Sequence, residues 1–384
     1  MRQLRAACAA VALGTGVLSV GALSIPVGDA AAAPTAKVTL PQAAPQVPQG
    51  AQQVGPLPAD QVVHLDVSLA GNDPAGLAAE VAAVSTPGSP QYRHYLSSAQ
   101  FASQYGPSAS EVQSVGAALA SEGLTVGTPL PGSVLLPVQG TASQVSAAFA
   151  TPLESLRLAQ GSTTFVNTAA PAVPAEVRSE VTGVIGLDGL DQEQSMFKHQ
   201  PGAPSVAGNS SDSTSPGSAT GGASGSHDEV AHAAGPQACG AASAAAGATA
   251  YTSTQLASDF GENQLFAQGR TGAGQTIGIV EFEQFAMSDV SAFESCYGLS
   301  NPVRTVVVDG PVGGRPEGTS EAALDIELAA VNAPSASILV YEAPNSGTDT
   351  TTLELISRIA SDDTAQVVTT SWGVCEAVDG QQDA

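Results

Sequence analysis

The sequence predicts two folded regions of different class: an α+β region, then, across a linker, an α/β region built on a doubly wound parallel sheet. Three observations carry this. Between about residues 56 and 190 strand and helix signals occur in mixed order, without strict alternation. Residues 191–245 turn to Gly, Ser, Ala and Pro, a composition that cannot bury enough apolar surface to fold and reads as a flexible linker. After Thr252 strands and helices alternate regularly, and runs such as Ile277-Gly278-Ile279-Val280 and Thr305-Val306-Val307-Val308 are nearly continuously apolar. Strands covered on both faces read that way.

Taken in order, the chain opens with basic Met1-Arg2-Gln3-Leu4-Arg5, an Ala/Val/Leu run to about Ile25, and small residues at Ala30-Ala31-Ala32. This is the pattern of a secretory signal peptide over 1–32 and predicts an exported, extracellular protein. Residues 33–55 are Ala, Pro, Gln and Val without clear period and read as a spacer. Val63, Leu65, Val67 and Leu69 then alternate with His64, Asp66 and Ser68 as a half-buried strand. Asn72-Asp73-Pro74 starts a helix with Leu77, Val81 and Val84 along one side, and Ser108 with Glu111 and Thr141 with Gln144 form capping boxes ahead of two more. Val134–Val138 reads as a strand, placed at a sheet edge because Pro137 lacks a donor. Further strands are expected near Leu153–Leu158 and Thr164–Asn167.

In the second region the expected order is strand Thr276–Phe282, helix Ser288–Tyr297, strand Arg304–Asp309, helix Ser320–Asn332, strand Ser337–Glu342, helix Thr351–Ala360 and strand Gln366–Ser371. Such sheets carry their sites at the carboxyl ends of the strands, where Glu281, Asp309, Glu342 and Ser371-Trp372-Gly373 lie.

The helix after Gly318 holds the most informative pattern. Glu321 and Asp325 are four residues apart and share one face, while Ala323, Leu324, Leu328 and Ala329 leave little of the helix polar. Thr319 or Ser320 is expected to cap it, with Glu321 in the first turn. Two acids on a partly buried face repel each other, raising one pKa and leaving a pair able to pass a proton. The bland alternative is a surface helix start, where acids are common.

Composition narrows the partners. The chain has 11 Lys and Arg against 35 Asp and Glu. Without Arg2, Arg5 and Asp29 the exported part keeps 9 and 34, about −25. That excludes nucleic acid and anionic membranes as favoured partners, since both require positive charge at the contact. Cys8 leaves with the signal, so Cys239, Cys296 and Cys375 remain. Cys239 with Cys296 is the preferred disulfide, and Cys375 stands over. No Cys/His cluster has metal-ligand spacing. All five histidines lie at or before His232, so the α/β region cannot build a Ser-His-Asp triad alone.

Several blocks together resemble the sedolisins, the serine-carboxyl peptidases. Ser89-Pro90-Gln91-Tyr92-Arg93-His94-Tyr95-Leu96, Gly140-Thr141-Ala142, Ala148-Phe149 and Val181–Leu187 are similar to the family's pro-kumamolisin-type activation prodomain. Gly269–Val280 resembles the first strand of the peptidase domain. Glu321-Ala322-Ala323-Leu324-Asp325 with Ala333-Pro334 resembles the helix bearing the catalytic Glu and Asp, and Ser371-Trp372-Gly373 a segment beside the substrate cleft. The resemblance implies a ferredoxin-like α+β prodomain over 56–190, the linker 191–245 and the N-terminal part of a subtilisin-like peptidase domain over 246–384. It implies Glu321 as general base, Asp325 as its partner and Ser371, Trp372 and Gly373 as substrate-binding residues. It also implies a peptide or protein substrate, the prodomain as intramolecular inhibitor, a monomer and maturation by cleavage in the linker. A carboxylate base works best in acid.

The departures are equally specific. The family's Ala-Ala-Gly-Asp-Ser-Gly-type segment, with the oxyanion Asp, and its Gly-Thr-Ser nucleophile segment with a following Pro do not occur in 1–384. The calcium of the family is expected to find its ligands outside this chain. The sequence therefore predicts an α/β domain incomplete at its C-terminus and a chain inactive by itself. The alternatives are a non-catalytic inhibitor or binding protein built on the prodomain, a remnant of a peptidase gene, or a structural α/β module.

Overall fold

The computed structural model describes residues 36–195, 235–246, 251–310, 312–313, 316–346 and 348–373, which fall within one structural unit. The signal segment, most of the linker and Cys375 lie outside the described residues.

The first region runs β1 (Lys37–Thr39), β2 (Gln52–Pro56), β3 (Val62–Leu69), α1 (Pro74–Ser85), α2 (Ser98–Gln104), α3 (Ala109–Ser121), β4 (Thr125–Val126), β5 (Leu135–Thr141), α4 (Ala142–Ala148), β6 (Leu153–Arg157), β7 (Thr163–Asn167), β8 (Ala172–Pro174) and β9 (Val181–Ile185). Its main sheet has the order β4-β5-β3-β9, with antiparallel neighbours, and β2-β6-β7 and β1-β8 form smaller antiparallel sheets. Alternation works as expected in β3: Val63, Leu65, Val67 and Leu69 enter one core with Val115, Leu119, Val145 and Phe149 from α3, α4 and the residue after α4. That leaves His64, Asp66 and Ser68 for the other face.

Three expectations need correction here. The stretch expected as a spacer contributes β1 and β2, and Leu40 beside β1 is buried in the core. A Pro/Ala-rich stretch lacks a two-residue period, yet it pairs because β8 and β6 offer free edges. Second, β5 is flanked on both sides. The Pro137 carbonyl accepts from the N–H of Gly127, so its ring nitrogen faces the side where two-residue β4 has ended, and the missing donor is tolerated there. Third, Val81 of α1 is exposed, so only Leu77 and Val84 turn inward.

The tail of the first region adds β10 (Gln194–Ser195), and the second region runs α5 (Gly240–Ala246), α6 (Ser253–Asp259), α7 (Asn263–Ala267), β11 (Thr276–Glu281), α8 (Met287–Tyr297), β12 (Val303–Val307), α9 (Pro316–Asn332), β13 (Ser337–Glu342), α10 (Asp349–Asp362), β14 (Val367–Thr370) and β15 (Trp372–Gly373). The strands β12-β13-β11-β14 form a wholly parallel sheet. Both faces of its two inner strands are covered. Ile279, Ile338 and Val340 pack on Val290 of α8 and on Ile326 and Ala330 of α9. Val280 and Tyr341 pack on Leu355 and Ile359 of α10. The outer strands depart from the expectation, since Val307 of β12 and Val367 and Val368 of β14 are exposed. Cys239 and Cys296 are joined in a disulfide that ties the residue before α5 to the last turn of α8. Among the described residues no helix is long and apolar enough to cross a membrane.

Helix α9 begins at Pro316, which is suited to a first helical position because its fixed φ matches and its missing N–H is not needed. Thr319 and Ser320 therefore sit inside the helix rather than capping it. Glu321 falls in the second turn, beyond the strongest part of the helix dipole.

Candidate active site

The carboxyl ends of β11 and β13 meet the middle of α9. In β11, Ile279 faces α9, so two residues on Glu281 faces it too; the same phase carries Val340 to Glu342 in β13. Glu281 and Glu342 are register partners across the two strands. Above them α9 presents Glu321 and Asp325, one turn apart. All four carboxyl groups are buried, Glu281 completely.

Each of the three best-defined acids has an identified donor. The Ser371 hydroxyl donates to Asp325 Oδ1 at 2.8 Å. The indole Nε1–H of Trp372 donates to Glu281 Oε2 at 2.8 Å. The hydroxyl of Ser195, arriving from β10, donates to Glu321 Oε2 at 2.6 Å. Glu281 Oε1 and Asp325 Oδ2 are buried without a hydrogen-bond partner among the described residues. Trp372 is itself fixed by an edge-on contact with Phe282, ring centroids 5.7 Å apart.

Crowded, buried acids hold protons. Burial, assisted by Asp325, Glu321 and Glu342, pushes Glu281 up to about 9 against the opposing Trp372 N–H. Glu281 is thus neutral at physiological pH. Burial also raises Asp325, with Ser371 lowering and Glu321 raising it, and burial raises Glu342. Glu281, Asp325 and Glu342, all shifted upward, thus surround Glu321.

The structure brings the sequence-predicted Glu321, Asp325, Ser371 and Trp372 together, with Gly373 in β15 beside them. Sequence reasoning placed Glu281 and Glu342 at the site end of the sheet, as carboxylates closing apolar strands, but assigned them no role. Ser195 had no signal, since it lies at the start of a low-complexity stretch. The geometry explains its place. Residues Gln194–Ser195 pair antiparallel with Trp372–Gly373, Ser195 opposite Trp372. Asn345 donates to the Glu193 carbonyl at 2.8 Å and Thr352 to its side chain at 2.9 Å. The tail of the first region is thereby strapped along β15 and over Glu321.

The first region also has a recognisable relative. Residues 49–190 match the family described as pro-kumamolisin, activation domain. The similarity extends to whole precursors of the sedolisin family. It is 27% identical over 330 residues to sedolisin of Pseudomonas sp. (strain 101), covering 84% of this chain and 49% of that protein. It is 26% identical over 328 residues to xanthomonalisin of Xanthomonas sp. (strain T-22), covering 83% and 36%. Against kumamolisin of Bacillus sp. (strain MN-32) it is 37% identical over 141 residues, covering 35% and 24%. The chain thus spans about half or less of the length of these relatives. The activation domain supplies β2 to β9, and the tail beyond it reaches the acids of α9. Among the described residues no group of three or more His, Cys, Asp or Glu side chains is arranged to hold a metal.

Proposed function

We propose that this chain is a secreted zymogen of sedolisin type, acting on peptide bonds in acid, with the ferredoxin-like activation domain holding the subtilisin-like region closed. One observation carries the reading: the strand after the activation domain pairs with Trp372-Gly373 and sets a hydroxyl on Glu321. A peptide substrate laid along the same strand would bring its carbonyl to the same carboxyl group. Glu321 is the general base that takes the proton of an attacking serine. Asp325, held by Ser371, orients and tunes it. Glu281, neutral and held by Trp372, keeps a proton behind the pair, so the site need not expel charge as the base is protonated.

The attacking serine and the oxyanion carboxylate belong, in this reading, to segments that 1–384 does not contain. The chain by itself is inactive, and its maturation cleavage falls in 191–245. The same strap favours a second role, in which the chain inhibits a complete acid peptidase through its activation domain.

The test reads the coding sequence past the Ala384 codon and, where it continues in frame, expresses the continued chain. Incubation at pH 4 should yield a new N-terminus within 191–245 and cleavage of an unstructured peptide. Glu321→Gln should lower kcat by at least about 100-fold and Asp325→Asn by about 10-fold or more. Undiminished turnover in Glu321→Gln would overturn the assignment. The inhibitor role predicts that the 384-residue chain itself slows a sedolisin at micromolar concentration or below, and a chain without such effect has no such role.

A further inference from the structure

Of the four carboxyl groups at the end of the parallel sheet, three have roles in the proposed peptidase chemistry: Glu321, Asp325 and Glu281. Glu342 is left over. It closes β13 as Glu281 closes β11, and the two are register partners in adjacent parallel strands. Paired positions of neighbouring strands lie about 5 Å apart and send their side chains to the same face. Here that face is the one towards α9, where Ile279 and Val340, two residues earlier in each strand, pack on Ile326 and Ala330. Both acids are buried, Glu281 with no exposure and Glu342 at 8%. Glu281 Oε2 takes the indole N–H of Trp372, while its Oε1 is buried without a hydrogen-bond partner among the described residues.

The groups acting on Glu281 from the elements around it are acids as well: Asp325 and Glu321 of α9, and Glu342 of β13. Just beyond β11, Glu283 is also buried. On the far side of β13, β12 sets Val307 beside Glu342, so that register brings no counter-charge. A buried carboxyl group short of donors is tolerated when neutral and disfavoured when charged. Two such groups side by side resist ionising together, and their protons belong to the pair.

We propose that Glu342 is a positioning residue that acts through Glu281: the two acids titrate as a pair across β11 and β13, and the charge on Glu342 keeps the last proton on Glu281, behind Glu321 and Asp325. Glu281 is the more enclosed, so it gives up its proton second. Burial comes first in pushing Glu281 up to about 9, and Glu342 adds to it with the two acids of α9. Burial raises Glu342 too. The effect grows as pH rises, because Glu342 loses its proton first and from then on opposes the loss of the second. Glu281 thereby stays a neutral neighbour of Asp325 well above the pH at which an isolated glutamate ionises. Its use rests on the peptidase role proposed above; its geometry does not.

Trp372 is the only tryptophan of the chain, and its N–H is bonded to Glu281 itself. The experiment follows tryptophan emission of the 384-residue chain from about pH 5 to 10, in about 1 M sucrose, which favours the folded state. Far-UV circular dichroism at each pH checks the fold. Wild type should show a transition at about pH 9, and Glu281→Gln, which cannot ionise, should lack it. Glu342→Gln should move the transition down by at least about 0.5 pH unit, roughly a threefold loss of proton affinity. Glu342→Asp keeps the charge and should recover most of that shift. Glu342→Thr suits a strand and serves if Glu342→Gln does not fold. A transition at the wild-type pH in the neutral variants overturns the role of Glu342. An equal fall in Glu342→Asp and Glu342→Gln overturns it too, since packing rather than charge would then set the transition. So does a wild type without any transition that Glu281→Gln removes, because Glu342 would have no ionisation to oppose. Failure of the peptidase role looks different: a continued chain that cuts no peptide leaves this titration as it stands.

Discussion

The hydroxyl of Ser195 lies 2.6 Å from Glu321 Oε2, although 126 residues separate them. The antiparallel pair of Gln194–Ser195 with Trp372–Gly373 brings them together. A two-residue pair contributes little alone, so the side-chain bond and the two contacts to Glu193 are what fasten the strap.

Removing that hydroxyl should loosen the strap without unfolding either region. Ser195→Ala loses one hydrogen bond to an acid, about 1–3 kcal/mol. The amides of Trp372 and Gly373 are expected to exchange at least about fivefold faster, while those of β3 and β5 stay unchanged. Ser195→Thr keeps the donor and should behave as wild type. Equal exchange in Ser195→Ala and wild type would mean the hydroxyl does not hold the strand.

Glu281 predicts a pH signature for stability. Its carboxyl group rises from an ordinary value of 4.5 to about 9 on folding, through burial first and neighbouring acids second. The folded chain thus holds a proton that the unfolded chain releases above about pH 4.5. Stability from this group is fully present below that pH and is lost as pH rises towards 9. In urea, the wild-type midpoint should fall between pH 5 and 9. Glu281→Gln keeps an acceptor for Trp372 and cannot ionise, so its midpoint should fall distinctly less. Parallel pH profiles for the two proteins would place the titration elsewhere.

Much of this site was legible because it follows periodicity. Four-residue spacing places Glu321 and Asp325 on one helix face, and apolar runs locate β11 and β13, so Ser371-Trp372 falls at a strand end. What was not legible depends on long-range pairing. Ser195 carries no local pattern, β1 and β2 exist only because β8 and β6 present edges, and the burial of Asp66 is decided by α10 on the far side of the linker. The start of α9 was misplaced for a local reason: Ser320 is a good cap, but Pro316 is a better first helical residue.

The disulfide should matter more to the second region than to the first. Cys239–Cys296 spans 57 residues, and closing a loop of that size removes unfolded-chain entropy worth about 4 kcal/mol. The double variant Cys239→Ala/Cys296→Ala should lower the melting temperature of α8 and its surroundings by several degrees, followed by hydrogen exchange. Amides of β3, β5 and β9 should keep their protection. A uniform loss across both regions would show that they unfold as one cooperative unit.

Gly186 tests the closeness of the two regions. It follows β9 with φ +87°, and a Cβ there would lie 2.7 Å from Thr350 Cγ2 of α10 and 2.8 Å from the His64 carbonyl oxygen. Gly161, in the turn between β6 and β7, has φ +97° with open space around the same position. Gly161→Ala therefore bears only the left-handed backbone strain, about 1 kcal/mol. Gly186→Ala bears that strain plus an overlap with backbone and side chain, roughly 2–4 kcal/mol in all. Adding Thr350→Ser removes the Cγ2 methyl and should recover part of the difference, while leaving Gly161→Ala unaffected. The coupling between Gly186→Ala and Thr350→Ser, measured by urea denaturation, reads the contact between the activation domain and α10 directly. A coupling of zero would mean that β9 and α10 do not touch in solution as they do here.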